Sequence, residues 1–268
     1  MNREAWFDAA EEPHLFDLSA ISFADILPFI LVGFAAQLID GALGMAFGVI
    51  STTLLVSRGV DPAVASASVH AVEVFTTGAS GISHTVHRNV NWRLFRGIVI
   101  PGIIGGILGA YVLTQIEAAT ARPFVLAYLT AIGLYLLWRA LRHAHRDRKP
   151  RIVFPLGLAG GFLDAAGGGG WGPVVTSNLL AQGANPRKVI GTVNTAEFFI
   201  ALTISVTFLL TLRAEAFTVA MAGLLIGGLA AAPLAGFVAK KLPAKPLLIM
   251  VSIVLILTSA YGIWRALA

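Results

Sequence analysis

Two glutamates, Glu73 and Glu197, each sit about ten residues inside an apolar stretch. A charge at the centre of a bilayer costs ~2.5–3.5 kcal/mol or more, so an ionisable residue there calls for a chemical reason. A protonated carboxyl can donate a hydrogen bond, and an ionised one repels an anion. That makes Glu73 and Glu197 candidates for proton coupling. Around Glu73, the residues Ser66, His70, Thr77 and His84 follow at steps that bring them to one helix face. Around Glu197 stand Thr192, Asn194 and Thr195, with Asn194 in the place of His70. His70/Glu73 and His84/His87 have a spacing that metals use, but all six histidines precede residue 146, HExxH is absent and there is no cysteine. No metal site or cofactor is expected, nor a thiol or Ser–His–Asp catalyst, and the chain reads as something other than an enzyme.

The second chemical feature is a pair of glycine-rich interruptions, GALGMAFG at Gly41–Gly48 and AAGGGGWG at Ala165–Gly172. A helix that starts inside a membrane presents unpaired backbone N–H groups and the positive end of its dipole. Gly44, Gly48, Gly168, Gly169 and Gly170 open the backbone just before such starts. Ser51, Thr52, Thr176 and Asn178 follow with hydroxyl and amide groups. Together with His70, Glu73, Thr77, Asn194 and Glu197 they form the candidate substrate-binding set. Asp40 and Asp164, just ahead of the turns, are placed to cap the resumed helices. GGGGWG lacks the Gly-Lys-Ser/Thr of a phosphate-binding loop.

The elements that must position these residues are apolar. Hydrophobic residues make up 57% of the 268-residue chain and charged residues 12%, and mean hydropathy is +0.81. Soluble domains carry roughly 25% charged residues, so lipid must solvate much of this chain. Runs near the ~20 residues a spanning helix needs fall at Val64–Val86, Leu94–Ile116, Pro123–Leu141, Val189–Leu212, Phe217–Val238 and Pro246–Ala266. Ahead of each set of three lies a broken segment, Ile26–Arg58 and Ile152–Gln182. The resumed piece of each is too short to cross alone, and irregular backbone at membrane depth must be covered by protein or line a cavity.

The broken segments are copies of each other. At an ungapped offset of 124 residues Gly33, Asp40, Gly44, Gly48, Thr52, Gly59, Pro62 and Glu73 meet the identical residue. WRAL at Trp138–Leu141 returns at Trp264–Leu267. The expected fold is therefore all-α and integral to a membrane: two homologous repeats, each a glycine-broken short-helix hairpin followed by three transmembrane helices. The boundaries are an N-terminal tail (1–24), repeat 1 (25–142), a basic linker (143–151) and repeat 2 (152–268). The acidic tail lacks the basic and apolar regions of a signal peptide.

Loop charge orients the repeats. If each hairpin re-emerges on its own side the halves are inverted, and the 19 Lys and Arg residues divide 14 to 5. If the broken segments cross, the halves are parallel and the split falls to 12 to 7. The positive-inside rule favours the inverted arrangement, with the linker in the cytoplasm and both termini outside. The net charge of +5 thus reads as membrane orientation and not as nucleic-acid binding.

The segments LIDGALGMAFGVISTTLLVSRGVDP, SASVHAVEVFTTGASGISH, FLDAAGGGGWGPVVTSNLLAQGANP and IGTVNTAEFF resemble the sulfite exporter TauE/SafE family of prokaryotic membrane transporters. The resemblance extends from about Pro28 to Ala268. The second copy, with its glycine run, Pro173 and Gly191-Thr192, follows the family pattern closely. In the first the run is diluted, and SASVHAVE stands where a GTS-type segment is usual. The resemblance implies export of a small sulfur-containing anion, sulfite or an organosulfonate, across the inner membrane. With the residue reading it makes a proton-coupled secondary transporter with a midplane site between the repeats. A passive anion channel, or a metal-ion carrier built on His70, Glu73 and His84, is the alternative. The expected partners are the anion and the bilayer, and a homodimer is compatible with both.

Overall fold

The computed structural model describes residues 23–141, 150–212, 219–241 and 244–267. The N-terminal tail as far as residue 22 and most of the basic linker lie outside these. Every regular element among the described residues is helical. A helix α1 (Phe23–Leu43) turns at Gly44 into α2 (Phe47–Ser57), and the long helices α3 (Pro62–Val86), α4 (Trp92–Thr114) and α5 (Ala118–Leu141) follow. The second half opens with α6 (Phe154–Gly167). A π-helical turn, Trp171–Thr176, then leads into α7 (Ser177–Ala181), and α8 (Pro186–Thr211), α9 (Val219–Lys241) and α10 (Ala244–Leu267) complete the chain.

Local chemistry sets the starts. Asp61 accepts from the Ala63 amide at 2.8 Å, and Asn185 accepts from Lys188 at 3.2 Å. Each is followed by a proline at the first helical position, where no amide hydrogen is needed. Asn91 caps α4 through the amides of Arg93 and Leu94. α4, α5 and α8 are long and apolar enough to cross a membrane. Large apolar side chains such as Ile82, Phe124 and Leu210 face outward. The aromatic pairs Tyr135–Trp138 and Tyr261–Trp264 lie near the ends of α5 and α10, where amphipathic rings suit a headgroup region.

Glycines bring helices from different halves into backbone contact. α6 lies along α4, parallel to it: a Cβ on Gly105 would strike the Leu158 carbonyl, one on Gly109 the Phe162 carbonyl, and one on Gly161 the backbone of Gly102. α1 lies along α9 in the same way, with Gly33 against Leu224 and Gly227 against Ile30 and Phe34. At the centre α3 and α8 run antiparallel. Gly81 meets Thr195, Gly78 meets Phe198, and the Asn91 amide donates to Thr192 Oγ1 at 2.8 Å. α5 and α10 are likewise antiparallel, Gly133 against Leu255 and Gly262 against Leu126.

Both broken segments turn back on themselves. Gln182, just beyond α7, accepts from the amides of Arg151 and Ile152 at 2.8 and 3.0 Å, so the end of this hairpin returns to its beginning. In the first hairpin the Arg58 guanidinium lies 5.9 Å over the ring of Phe29, near the start of α1. At 1.5 Å per residue α3 carries the chain some ~37 Å from there. At its far end Arg187 donates to Asn89 and Lys188 to the Arg88 carbonyl. The hairpins therefore enter from opposite ends of the bundle.

Candidate functional site

The tips of the two hairpins meet in the middle of the bundle. Gly44 takes φ 67°, and Gly168 and Gly169 take 69° and 143°. These left-handed values let the chain reverse without a side-chain clash. The amides that open the resumed helices are then claimed from within the hairpin. Asp40 Oδ1 accepts from Ala46 at 2.8 Å and Phe47 at 3.4 Å. Asp164 Oδ1 accepts from Gly170 at 2.7 Å and Trp171 at 3.0 Å. Each set is the other shifted by 124 residues. Four of the donors at the two helix starts are thus held by carboxylates.

The tips also touch each other. Thr176 Oγ1 donates to the Gly44 carbonyl at 2.9 Å, and Ser177 reaches the Met45 sulfur at 3.4 Å. A Cβ on Gly48 would stand 3.1 Å from the Gly169 Cα and 2.9 Å from Glu73 Oε1. Thr52 packs on Gly168, and Gly172 on Met45. Side chains larger than hydrogen at these crossings would push the tips apart and displace Glu73.

Above the second tip α3 contributes a polar cluster. His70 Nδ1 donates to the Ser66 carbonyl at 2.7 Å, while Nε2 faces Asp164 Oδ2 at 3.3 Å and Glu73 Oε2 at 3.9 Å. With Nδ1–H committed, the Nε2–Oδ2 contact holds only if a proton lies on one of the two atoms. Ser66 Oγ donates to the Ala165 carbonyl at 2.8 Å and ties α3 to the same hairpin. Asn194, in the position equivalent to His70, gives its N–H to the Ile190 carbonyl and accepts from Ser80. Glu73 and Glu197 are buried, and Oε2 of each has no hydrogen-bond partner among the described residues.

The structure therefore brings together Asp40, Gly44, Gly48, Thr52, His70, Glu73, Asp164, Gly168, Gly169, Gly170 and Thr176. Thr77 and Asn178 instead bond the carbonyls of Glu73 and Val174 in their own helices. Ser51 is buried on α2, its hydroxyl without a hydrogen-bond partner among the described residues. His84 lies 14 residues beyond His70, or ~21 Å along the helix, and meets Asn89. No group of three His, Cys, Asp or Glu among the described residues is placed to hold a metal ion.

Several residues of the centre carry no signal in the sequence. Tyr128 of α5 directs its hydroxyl toward the Gly169 carbonyl at 3.4 Å. A Cβ on Gly167 or Gly170 would overlap Tyr128. In the first hairpin those positions are Leu43 and Ala46, and at the 126-residue offset of the WRAL repeat the counterpart of Tyr128 is Val254. The full glycine run of the second hairpin is thus room for a tyrosine. Gln37 and Thr76 are wholly buried, and their polar side-chain atoms have no hydrogen-bond partner among the described residues. They escape sequence reading because their repeat counterparts are Gly161 and Ile200.

An all-helical apolar bundle with paired hairpins and buried carboxyls defines an integral membrane protein, and its family and relatives make it a transporter and not an enzyme. The chain belongs to the sulfite exporter TauE/SafE family, which matches residues 29–262. It is 44% identical over 246 residues to the probable membrane transporter protein YtnM of Bacillus subtilis (strain 168), covering 88% of this chain and 81% of that protein. A probable membrane transporter protein of Haemophilus influenzae (strain ATCC 51907 / DSM 11121 / KW20 / Rd) is 29% identical over 199 residues, 69% of this chain and 74% of the relative. No solved structure matches.

Proposed function

We propose that this transporter exports a small sulfur-containing anion, sulfite or an organosulfonate, coupled to protons, from a site between two inverted repeats. The observation that carries the reading is the meeting of the two hairpin tips beside Glu73, with Glu197 buried at the equivalent position of α8. Antiparallel packing of α3 with α8 and of α5 with α10, and the entry of the hairpins from opposite ends, support the inverted relation. In this reading the repeats cover 25–142 and 152–268, the protein lies in the cell membrane, the basic linker faces the cytoplasm and both termini face outside.

Two glutamates near a bound anion act as a switch. An ionised carboxylate 4 Å from an anion costs ~4 kcal/mol at an effective dielectric of about 20. Protonated, the same carboxyls donate hydrogen bonds to it. Binding the anion therefore favours uptake of protons, and losing them drives release. Substrate efflux coupled to proton movement follows by linkage.

Counterflow of labelled sulfite in proteoliposomes tests the reading. Wild-type protein exchanges sulfite with saturation and with a pH-dependent rate. Glu73→Gln with Glu197→Gln keeps the hydrogen-bond donors but carries no exchangeable proton, so pH dependence disappears and net export stalls. A double variant with wild-type export and pH profile excludes the proton relay. Currents that do not saturate identify an anion channel instead.

A further inference from the structure

Both hairpins carry the capped turn, but a corner beside each differs in polarity. Beside the second hairpin Gly102 of α4 faces Ile200 and Trp171, and Gly161 of α6 lies directly on Gly102. That corner is closed by apolar side chains and backbone. Beside the first hairpin the corresponding glycine is Gly228 of α9, and it faces Thr76 and Phe47. Gly33 meets Leu224; one turn further along these parallel helices Gln37 comes level with Gly228, as Gly161 does with Gly102. Ser51 lies one turn beyond Phe47 on α2, where the second half has Val175. Glu73 lies one turn before Thr76 on α3, with its Oε1 against Gly48.

At three positions around this corner the substitutions run in one direction. Gly161, Val175 and Ile200 are apolar, and Gln37, Ser51 and Thr76 are polar. All three polar residues are fully buried. Both amide atoms of Gln37, both hydroxyls and Glu73 Oε2 lack hydrogen-bond partners among the described residues. A buried polar group with no partner is costly to keep, and no packing need explains it, since the other half fills the same corner with carbon.

We propose that Gln37, Ser51, Thr76 and Glu73 form a one-sided binding site for a small, singly charged oxyanion, so that recognition falls on the first half alone; this rests on the transport reading above. The carboxamide supplies two N–H donors, the hydroxyls one each, and protonated Glu73 another. His70, beside Glu73, is engaged by Asp164, so among the described residues it is not left to balance a second negative charge. Hydrogensulfite and organosulfonates meet this requirement, and sulfate does not.

The test uses the full chain in proteoliposomes. Thr76→Val and Gln37→Met keep the shape and remove the donors. Each raises KM for sulfite by about ten- to a hundredfold, the range for a lost hydrogen bond to a charged group, with the maximal rate little changed. Thr203→Val, which removes a hydroxyl bonded within α8, leaves KM as in the wild type. Unaltered KM in both site variants overturns the proposal and leaves sulfite transport standing, whereas a wild type that exchanges none of the sulfur anions removes the transport reading and the site with it. Sulfate competing as well as sulfite overturns the assignment of single charge. If a variant is folded but inactive, thermal stabilisation of the detergent-purified protein by sulfite decides: its loss supports the site, and a wild-type response overturns it.

Discussion

Removing the carboxylate of Asp164 tests the centre of the structure most directly. Its Oδ1 holds two backbone amides at 2.7 and 3.0 Å, and its Oδ2 faces His70 at 3.3 Å. Asp40 holds one amide at 2.8 Å and a second only at 3.4 Å. A buried donor left unsatisfied costs about 1–3 kcal/mol. Asp164→Ala therefore loses about 4 kcal/mol and Asp40→Ala about 2 kcal/mol, a gap of roughly thirtyfold in the unfolding constant. Asp164→Asn keeps an oxygen for both amides and turns N–H toward His70 Nε2, which is free to accept because Nδ1 donates to Ser66. It loses only the charge assistance, about 1 kcal/mol. Unfolding of the purified protein in mixed detergent, followed by tryptophan fluorescence, reads the difference, since Trp171 is fully buried beside the cap. Equal losses in the two alanine variants, or an asparagine variant as unstable as the alanine one, would refute this account of the caps.

Three further outcomes follow from the geometry. Gly105→Ala places a methyl on the Leu158 carbonyl; separating α4 from α6 lowers stability by about 1–3 kcal/mol, the usual cost of overpacking, visible in the same unfolding assay. Tyr128→Phe loses only the long contact to Gly169, so transport and stability stay within about 1 kcal/mol of wild type; Tyr128→Ala empties the space the glycine run was built around and costs about 3–5 kcal/mol. Because the chain has no cysteine, Arg58→Cys and Lys188→Cys can be labelled singly in intact cells with an impermeant thiol reagent; Arg58→Cys reacts from outside, and Lys188→Cys only after permeabilisation.

Much of the architecture is legible in the chain itself, because membrane helices obey simple constraints. Apolar runs near 20 residues mark α3, α4, α5, α8, α9 and α10 to within a few residues of their observed ends. The positions of Asp40, Gly44, Asp164 and Gly168 could be read because turns at membrane depth need glycine and a local acceptor, both of which are local in sequence. Membership of the TauE/SafE family was legible for the same reason, carried by the glycine hairpins and the polar segments behind them.

What only the tertiary structure decided are the relations across helices. Sequence places Glu73, His70 and Thr77 on one stretch, but folding turns His70 toward Asp164 while Thr77 bonds back to its own helix. The dilution of the first glycine run looks like divergence until Tyr128 is seen filling the corresponding space in the second. The polar atoms of Gln37 and Thr76 are ordinary in sequence, since a polar residue is costly only when burial denies it a partner, and burial is a property of neighbours. The two glutamates that open the reading were conspicuous as charges in hydrocarbon, a one-dimensional fact. Glu73 lying against the first hairpin, and His70 held to the second, are set by α3 and α8 crossing antiparallel between the two tips.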